Sequence, residues 1–292
     1  MPIRDRRTLI AATALGLVAL SWGTSFSIIK DIIDTVPPFT LMLLRFGWST
    51  VLLSLIFGHR LRHATKRHVR NSLVIGSFLA AAFTCLVLGI KYTTASNQSF
   101  LVGANVIFVP FLVWIISGRR PGRYAVGGAA LATVGIALLT LNGSFTVNKG
   151  DLLSLLSSMA YACHMVAIER LGRDQDPIAS TIIQFALTTV GFIVLTGTFE
   201  SFDLDMTPKL WKALAYLVIV TTVIAFTVQN IAQKFLSSTS TALILTLETA
   251  FGGVFAVLYL HEHLTFKMFM GCLIIFAGIL TEQTQWRFLR KA

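Results

Sequence analysis

Glu248 is a carboxylate in the middle of a long apolar stretch, residues 237–260, which contains neither Lys nor Arg. An ionised carboxylate at that depth in a bilayer costs about 3 kcal/mol on insertion scales, so such a residue either has a structural partner or faces a wet cavity. The sequence favours a place on a ligand pathway, where a cation, a proton or water offsets the charge. The alternative is a structural acid paired with a hydroxyl or backbone group.

A polar stripe occurs in an earlier apolar stretch. Gln98 and Asn105 are seven residues apart and therefore share one face of a helix. A shift of 143 residues places them on Thr241 and Glu248. The matched faces predict that Gln98 and Thr241 approach one central cavity from opposite halves, near the membrane midplane, where membrane proteins built from repeats bind their ligands. The alternative is that these side chains only hydrogen-bond between helices.

Two aromatic residues have polar neighbours at helical spacing. Trp22 and Ser25 are three residues apart, and a shift of 139 residues places them on Tyr161 and His164. An aromatic ring beside a hydrogen-bonding group suits an amphiphilic ligand. Packing of the two rings, and a His164 that is simply hydrogen-bonded in a helix contact, are the alternatives.

Arg45 lies inside an apolar stretch, and Gln184 occupies the matching position in the second half of the chain. Its guanidinium either binds a substrate carboxylate or extends along the helix toward the outer face of the membrane. The predicted substrate-binding residues are thus Trp22, Ser25, Arg45, Gln98, Asn105, Tyr161, His164, Gln184, Thr241 and Glu248.

Motifs of common enzyme classes are missing from the sequence, including G-x-x-x-x-G-K-[ST], G-x-S-x-G and H-E-x-x-H. The three cysteines, Cys85, Cys163 and Cys272, have no C-x-x-C spacing and indicate neither a disulfide nor a metal site. We therefore predict no enzymatic activity, no catalytic residue, no metal site and no cofactor.

The elements that position these side chains are apolar helices. Hydrophobic residues make up 55% of the 292 residues and charged residues only 13%, against about 25% charged in an ordinary soluble domain. The apolar residues fall into continuous blocks long enough to cross a hydrocarbon layer of ~30 Å, unlike the alternating segments of a β-barrel. The sequence predicts an all-α polytopic membrane protein with ten transmembrane helices, near residues 8–29, 39–57, 72–90, 95–116, 124–141, 152–168, 178–199, 210–231, 237–260 and 266–282.

The basic residues are segregated between alternate connecting segments. If the N-terminus is cytoplasmic, seventeen of the 24 Lys and Arg residues lie inside and Arg45 lies within a span. The six outside are Lys30, Lys91, Lys149, Lys209, Lys212 and Lys267. This bias predicts that both termini are cytoplasmic. The net charge of +11 is thus a topology signal, and nucleic acid is not an expected partner.

The two halves of the chain repeat one another. The shift of 139 also places Pro38 on Pro177, and the shift of 143 places Gly128 on Gly271 and Gly135 on Gly278. Five helices per half is an odd number, so the second half must enter the membrane in the opposite orientation. We predict two inverted five-helix repeats, residues 1–145 and 146–292.

Several motifs resemble the EamA family of the drug/metabolite transporter superfamily, and the resemblance covers nearly the whole chain. The matching segments are Trp22-Gly23-Thr24-Ser25-Phe26 with Lys30, Pro37-Pro38 with Arg45, Tyr92-Thr93-Thr94-Ala95-Ser96-Asn97, Phe108-Val109-Pro110, Leu247-Glu248, and Leu260-His261-Glu262-His263-Leu264 followed by Gly271 and Gly278. Thr249 follows Glu248 where the family often has Pro. The resemblance implies ten helices, cytoplasmic termini, and export or exchange of amino acids or related metabolites.

The expected function is that of a secondary transporter, an exporter or facilitator of small metabolites, with amino acids as the best substrate class. A multidrug-type exporter of cationic or aromatic compounds is the main alternative, followed by an intramembrane enzyme or a transport accessory subunit. The expected location is the bacterial cytoplasmic (inner) membrane, with the lipid bilayer and a small-molecule substrate as partners. The sequence leaves proton coupling, and the choice between monomer and homodimer, open.

Overall fold

The computed structural model describes residues 6–118, 120, 122–140, 148–201, 207–263 and 265–284. Within these ranges the secondary structure is entirely helical. The thirteen α-helices are α1 (Arg6–Ile32), α2 (Pro38–Phe57), α3 (Lys66–Tyr92), α4 (Ala95–Gly103), α5 (Asn105–Ser117), α6 (Arg123–Thr140), α7 (Lys149–Leu171), α8 (Pro177–Phe199), α9 (Pro208–Val218), α10 (Ala225–Ala232), α11 (Ser238–Leu245), α12 (Leu247–Leu260) and α13 (Phe266–Thr284). A 3₁₀ turn (Gly58–His63) follows α2, and a π-helical segment (Ile219–Ile224) joins α9 to α10.

Eight helical segments in the described residues are long and apolar enough to cross a membrane. They are α1, α2 with its 3₁₀ turn, α3, α4–α5, α7, α8, α9–α10 and α11–α12. The helices α6 and α13 carry only shorter apolar stretches, Val126–Gly135 and Phe269–Gly278. The predicted all-α membrane architecture is confirmed, whereas the count of ten spans is not. The predicted repeat boundary at residues 145 and 146 lies outside the described residues.

Two of the spans predicted as single helices change their hydrogen bonding near the middle. Between α4 and α5, Ile107 N–H donates to Ala104 O (2.9 Å), and between α11 and α12, Thr249 N–H donates to Thr246 O (3.0 Å). These three-residue steps tighten the helix locally. They occur immediately before Asn105 and Glu248, so they set the direction of both side chains.

Small residues let these interrupted spans pack closely. The helix α4 packs against α12, and a side chain at Gly103 would collide with Thr249, whereas one at Gly252 would come within 2.5 Å of Ser99 Cβ. Bulk at either glycine would push the helices apart. The close contact holds the Glu248 segment near the centre of the bundle.

Glutamate side chains from other helices or loops bind the starts of three helices, and in two of the three cases the glutamate comes from the other half of the chain. The connection between α2 and α3 lies at one end of the bundle, which we call the basic end. The basic residues there are Arg60, Arg62, Lys66, Arg67 and Arg70. Glutamates accept hydrogen bonds from the first backbone N–H groups of three helices, an arrangement that satisfies groups with no partner inside the helix. The pairs are Glu200 with Phe39 and Thr40, Glu262 with Ala95 and Ser96, and Glu169 with Ser238.

Asp176 and Arg60 form an ion pair at the basic end, with 2.7 Å between Oδ2 and Nη1. The carboxylate also accepts hydrogen bonds from the N–H groups of Ile178 and Ala179 at the start of α8. Partial burial raises the pKa of Asp176, but these backbone hydrogen bonds and the Arg60 guanidinium outweigh it, so the pKa lies below its ordinary value.

Candidate functional site

A small cavity lies within the helix bundle, with about 40 Å³ of space for the centre of a water-sized sphere. Seven helices contribute to its wall: α1, α2, α3, α4, α7, α10 and α12. The lining residues are Trp22, Ser25, Phe26, Ile29, Arg45, Ala82, Phe83, Leu86, Val102, Ser157, Tyr161, Phe226 and Glu248. The wall is mostly aromatic and aliphatic, with a few polar groups, which is the usual composition of a small-molecule site.

Glu248 is the acidic residue on this wall and is only 3% exposed. Its position near the start of α12 follows from the tight turn at Thr246. No hydrogen bond or ion pair joins its carboxylate to any part of the chain that the structure describes. A buried carboxylate without a partner is costly, so this group is suited to a cation, a proton or water from the cavity.

Arg45 is the basic residue on the wall and is 1% exposed. Its Nε donates to Thr222 Oγ1 (2.6 Å), and its Nη2 donates to Thr221 Oγ1 (3.0 Å) and Thr221 O (3.3 Å). The guanidinium carbon also lies 4.9 Å from the ring centroid of Phe83. The guanidinium is therefore held by neutral groups and an aromatic face, and it keeps its full charge for a ligand.

The π-helical segment supplies these two threonines. It consists of Ile219, Val220, Thr221, Thr222, Val223 and Ile224, all of which are β-branched and crowd a regular α-helix. The Thr222 hydroxyl donates to Leu217 O, five residues back, at 2.7 Å, and π-helical turns often occur at functional sites. Sequence reasoning missed Thr221 and Thr222, although an adjacent Thr pair in a run of β-branched residues is a visible signal.

Aromatic rings form one side of the cavity wall. Trp22 lies with its ring centroid 5.8 Å from that of Tyr161 and 5.0 Å from that of Phe226. The indole Nε1 donates to Thr221 O (2.8 Å), and the Tyr161 hydroxyl donates to Gln229 Oε1 (2.8 Å). These bonds fix the rings, so they present rigid faces to a ligand.

Comparison with protein families decides the assignment of the chain. The EamA-like transporter family matches residues 9–141 and, separately, residues 148–281. The chain belongs to this family. The two successive matches fit a transporter fold built from two repeats, which makes this EamA-like transporter a multi-pass membrane protein that handles a small-molecule substrate.

Individual relatives align over most of this EamA-like transporter. An uncharacterized transporter of Archaeoglobus fulgidus is 28% identical over 276 residues, which is 94% of this chain and 86% of the relative. A protein of Escherichia coli strain K12 named a probable amino-acid metabolite efflux pump is 26% identical over 281 residues, 90% of this chain and 91% of the relative. A crystal structure with 19% sequence identity superposes with a TM-score of 0.70, covering 95% of this chain and 98% of its own. This last likeness supports the fold.

Five of the ten predicted binding residues of this EamA-like transporter lie on the cavity wall: Trp22, Ser25, Arg45, Tyr161 and Glu248. His164 and Gln184 instead lie behind the aromatic wall, with His164 Nε2 and Gln184 Oε1 3.0 Å apart. The Gln184 amide nitrogen donates to Ser180 Oγ (3.0 Å) and Asn230 Oδ1 (3.2 Å). These hydrogen bonds join α7, α8 and α10, while the other ring nitrogen, His164 Nδ1, is buried with no hydrogen-bond partner among the described residues.

The expected meeting of Gln98 and Thr241 at the cavity is not found, because neither residue is on its wall. Gln98 Nε2 donates to Leu86 O (2.6 Å), and Asn105 Nδ2 donates to Val102 O (2.9 Å), so nearby carbonyl groups draw both amides away from the centre. Thr241 is fully buried, and its hydroxyl has no hydrogen-bond partner among the described residues. A role in substrate binding stays a prediction for all ten residues.

Metal-ligating side chains do not cluster in the described residues, where no group of three or more His, Cys, Asp or Glu could hold a metal ion. Cys85 and Cys163 are partly buried free thiols. The chemistry that the cavity offers is therefore recognition of charge and of apolar surface.

Proposed function

We propose that this protein is a secondary transporter, an exporter or facilitator, of amino acids or closely related zwitterionic metabolites. The observation that carries the proposal is the placement of Arg45 and Glu248 on the wall of one aromatic cavity. A zwitterion brings a carboxylate for the guanidinium and an ammonium group for the carboxylate. The aromatic rings between them suit an apolar side chain.

The two charged side chains are available to a ligand because neither one forms an ion pair within the described residues. An unpaired buried charge is expensive, so a ligand that supplies the opposite charge gains free energy from both contacts. The name of the Escherichia coli relative supports the same substrate class.

The proposed topology has both termini in the cytoplasm of a bacterial cell and the basic end at the inner face of the cytoplasmic membrane. The segregation of Lys and Arg carries this orientation. In this proposal α6 and α13 are the fifth and tenth spans, which completes two inverted five-helix repeats, residues 1–145 and 146–292. The contact between the two helices supports this assignment. The helices α6 and α13 pack against each other, and the corresponding glycines Gly128 and Gly271, as well as Gly135 and Gly278, are buried.

A multidrug-type exporter of cationic or aromatic compounds is the second candidate. The unpartnered Glu248 carboxylate and the five aromatic rings of the wall favour it, because a cation needs no guanidinium. The two candidates differ in the need for Arg45. In either case Glu248 is the group that would carry a coupling proton.

The experiment that tests the proposal measures transport by purified protein in liposomes. Radiolabelled amino acids, the amines that lack their carboxyl groups, and cationic drugs are compared with and without a proton gradient. We expect saturable transport of one or more amino acids, competed weakly by the matching amines. Transport of the drugs together with no transport of any amino acid would overturn the amino-acid assignment in favour of the second candidate.

A further inference from the structure

We propose that Thr221 and Thr222 are positioning residues that hold the Arg45 guanidinium with its Nη1 group open to a substrate carboxylate. This inference rests on the proposed function and adds to it the group by which the substrate is recognised. The assignment comes from the hydrogen bonds around the π-helical segment.

The first step concerns which donors of Arg45 are already used. Its Nε is committed to Thr222 Oγ1 and its Nη2 to Thr221, through both the hydroxyl and the carbonyl oxygen. The Nη1 group has no hydrogen bond within the part of the chain that the structure describes. A guanidinium has five N–H donors. Nε uses one, and the two hydrogens of Nη2 face two acceptors on Thr221, so the two N–H groups of Nη1 remain for a carboxylate.

The second step concerns why the threonines accept rather than donate. The Thr221 hydroxyl donates to Leu217 O at 2.9 Å, and the Thr222 hydroxyl donates to the same oxygen at 2.7 Å. Each hydroxyl has only one proton, and both protons are used in this way. Both oxygens can therefore only accept at the side facing Arg45, which suits a permanently charged donor.

The third step concerns the π-helical turn. A hydroxyl in an α-helix usually bonds the carbonyl three or four residues back, whereas Thr222 bonds one five residues back. The wide turn thus brings two consecutive hydroxyls to one carbonyl and aims both at Arg45. The Thr221 carbonyl also accepts from Trp22 Nε1, so the same turn fixes a ring of the cavity.

The test uses two readouts with Thr222→Val, with Thr222→Ser as the conservative variant. Thr181→Val is the matched control, because Thr181 is buried and its hydroxyl bonds only its own helix, at Pro177 O. For Thr222→Val we expect the KM for an amino acid to rise roughly tenfold, because one hydrogen bond to a charged group is lost. Vmax and the KM for the matching amine should stay near their wild-type values. Thr222→Ser and Thr181→Val should keep wild-type values for both substrates.

The second readout needs no substrate. Thr222→Val should lower the melting temperature of the wild-type protein but have a much smaller effect when Arg45 is already replaced by Met, because the lost bond then has no donor. An equal loss in both backgrounds, or an equal rise in KM for the amino acid and its amine, overturns the positioning role. If wild type transports no amino acid, the proposed function fails, and the melting data alone decide whether the threonines hold Arg45.

Discussion

The two halves of this transporter use corresponding residues differently. In the first half, Trp22, Ser25 and Arg45 all lie on the cavity wall. Of their counterparts, only Tyr161 reaches the cavity, whereas His164 and Gln184 hydrogen-bond to each other behind it. A repeat conserves the position on a helix, but the chemistry of each side chain decides where its polar atoms are satisfied.

The pair Asn105 and Glu248 shows the reverse, because here only the residue from the second half lies on the cavity wall. Glu248 from the second half faces the cavity with no hydrogen-bond or ion-pair partner among the described residues, whereas Asn105 from the first half donates to Val102 O in its own segment. The first half thus supplies the positive group and the second half the negative group. The proposed zwitterionic ligand would therefore have one preferred orientation, with its carboxylate at Arg45 and its ammonium group at Glu248, and the following predictions test this orientation.

The largest expected effect belongs to Glu248→Gln, which keeps the shape of the side chain but removes its charge. We expect transport to fall by roughly a hundredfold, since breaking a buried charge contact costs about 2–5 kcal/mol, while the amount of folded protein in the membrane stays the same. The exposed Asp34→Asn is the control for loss of one negative charge. Normal transport by Glu248→Gln across the pH range would make Glu248 a structural residue.

Arg45→Gln should have the next largest effect, and a selective one. We expect the KM for amino acids to rise by about tenfold or more, because a charge-assisted hydrogen bond to the substrate is lost. The KM for the matching amines should change little. Gln184→Met, the same kind of change at the corresponding position, should leave that selectivity intact. Equal effects of the two variants on selectivity would contradict the asymmetry between the halves.

His164→Phe is expected to affect stability more than transport. It removes the partner of a buried amide, and such a loss costs about 1–3 kcal/mol. Thermal unfolding in detergent should show the destabilisation, while the ratio of KM values for amino acid and amine stays at the wild-type level. A changed ratio at unchanged stability would move His164 into the binding site.

The ion pair between Arg60 and Asp176 joins the halves outside the cavity and should matter least. Asp176→Asn is expected to lower stability by less than about 1 kcal/mol, because both side chains are partly exposed. The pKa of Asp176 is lowered in the folded protein, so its contribution is present above the unfolded pKa of about 3.9 and is lost as the pH falls through the folded value. The melting temperatures of wild type and Asp176→Asn should converge in that acidic range. A difference in melting temperature that grows there would contradict a stabilising role of the ionised Asp176 carboxylate.

The sequence was a good guide to what depends on hydropathy and spacing. Apolar blocks predicted the helices. The cost of a charge inside an apolar span pointed to Arg45 and Glu248, because a charged side chain there needs a partner or a cavity that offsets its charge. Gly103 and Gly252 also allow the close contact between α4 and α12, and small residues of this kind are visible in the sequence.

What could not be predicted depends on local hydrogen bonding. The turns before Asn105 and Glu248 differ from a regular helix by single hydrogen bonds, too small a difference to appear in hydropathy. The inward or outward direction of Gln98 depends on the position of Leu86 O, which is set by tertiary packing. The π-helical turn at Thr222 likewise required the position of Arg45 on another helix.

The most direct test of the central claim, that Arg45 and Glu248 recognise opposite charges of one ligand, is a binding measurement on purified protein. Affinities are measured for a transported amino acid, for its amine and for the acid that lacks the amino group, in wild type, Arg45→Gln and Glu248→Gln. Wild type should bind the amino acid most tightly. Arg45→Gln should lose the preference for the amino acid over the amine, and Glu248→Gln the preference over the deaminated acid. A uniform loss of affinity for all three ligands in either variant would contradict the claim.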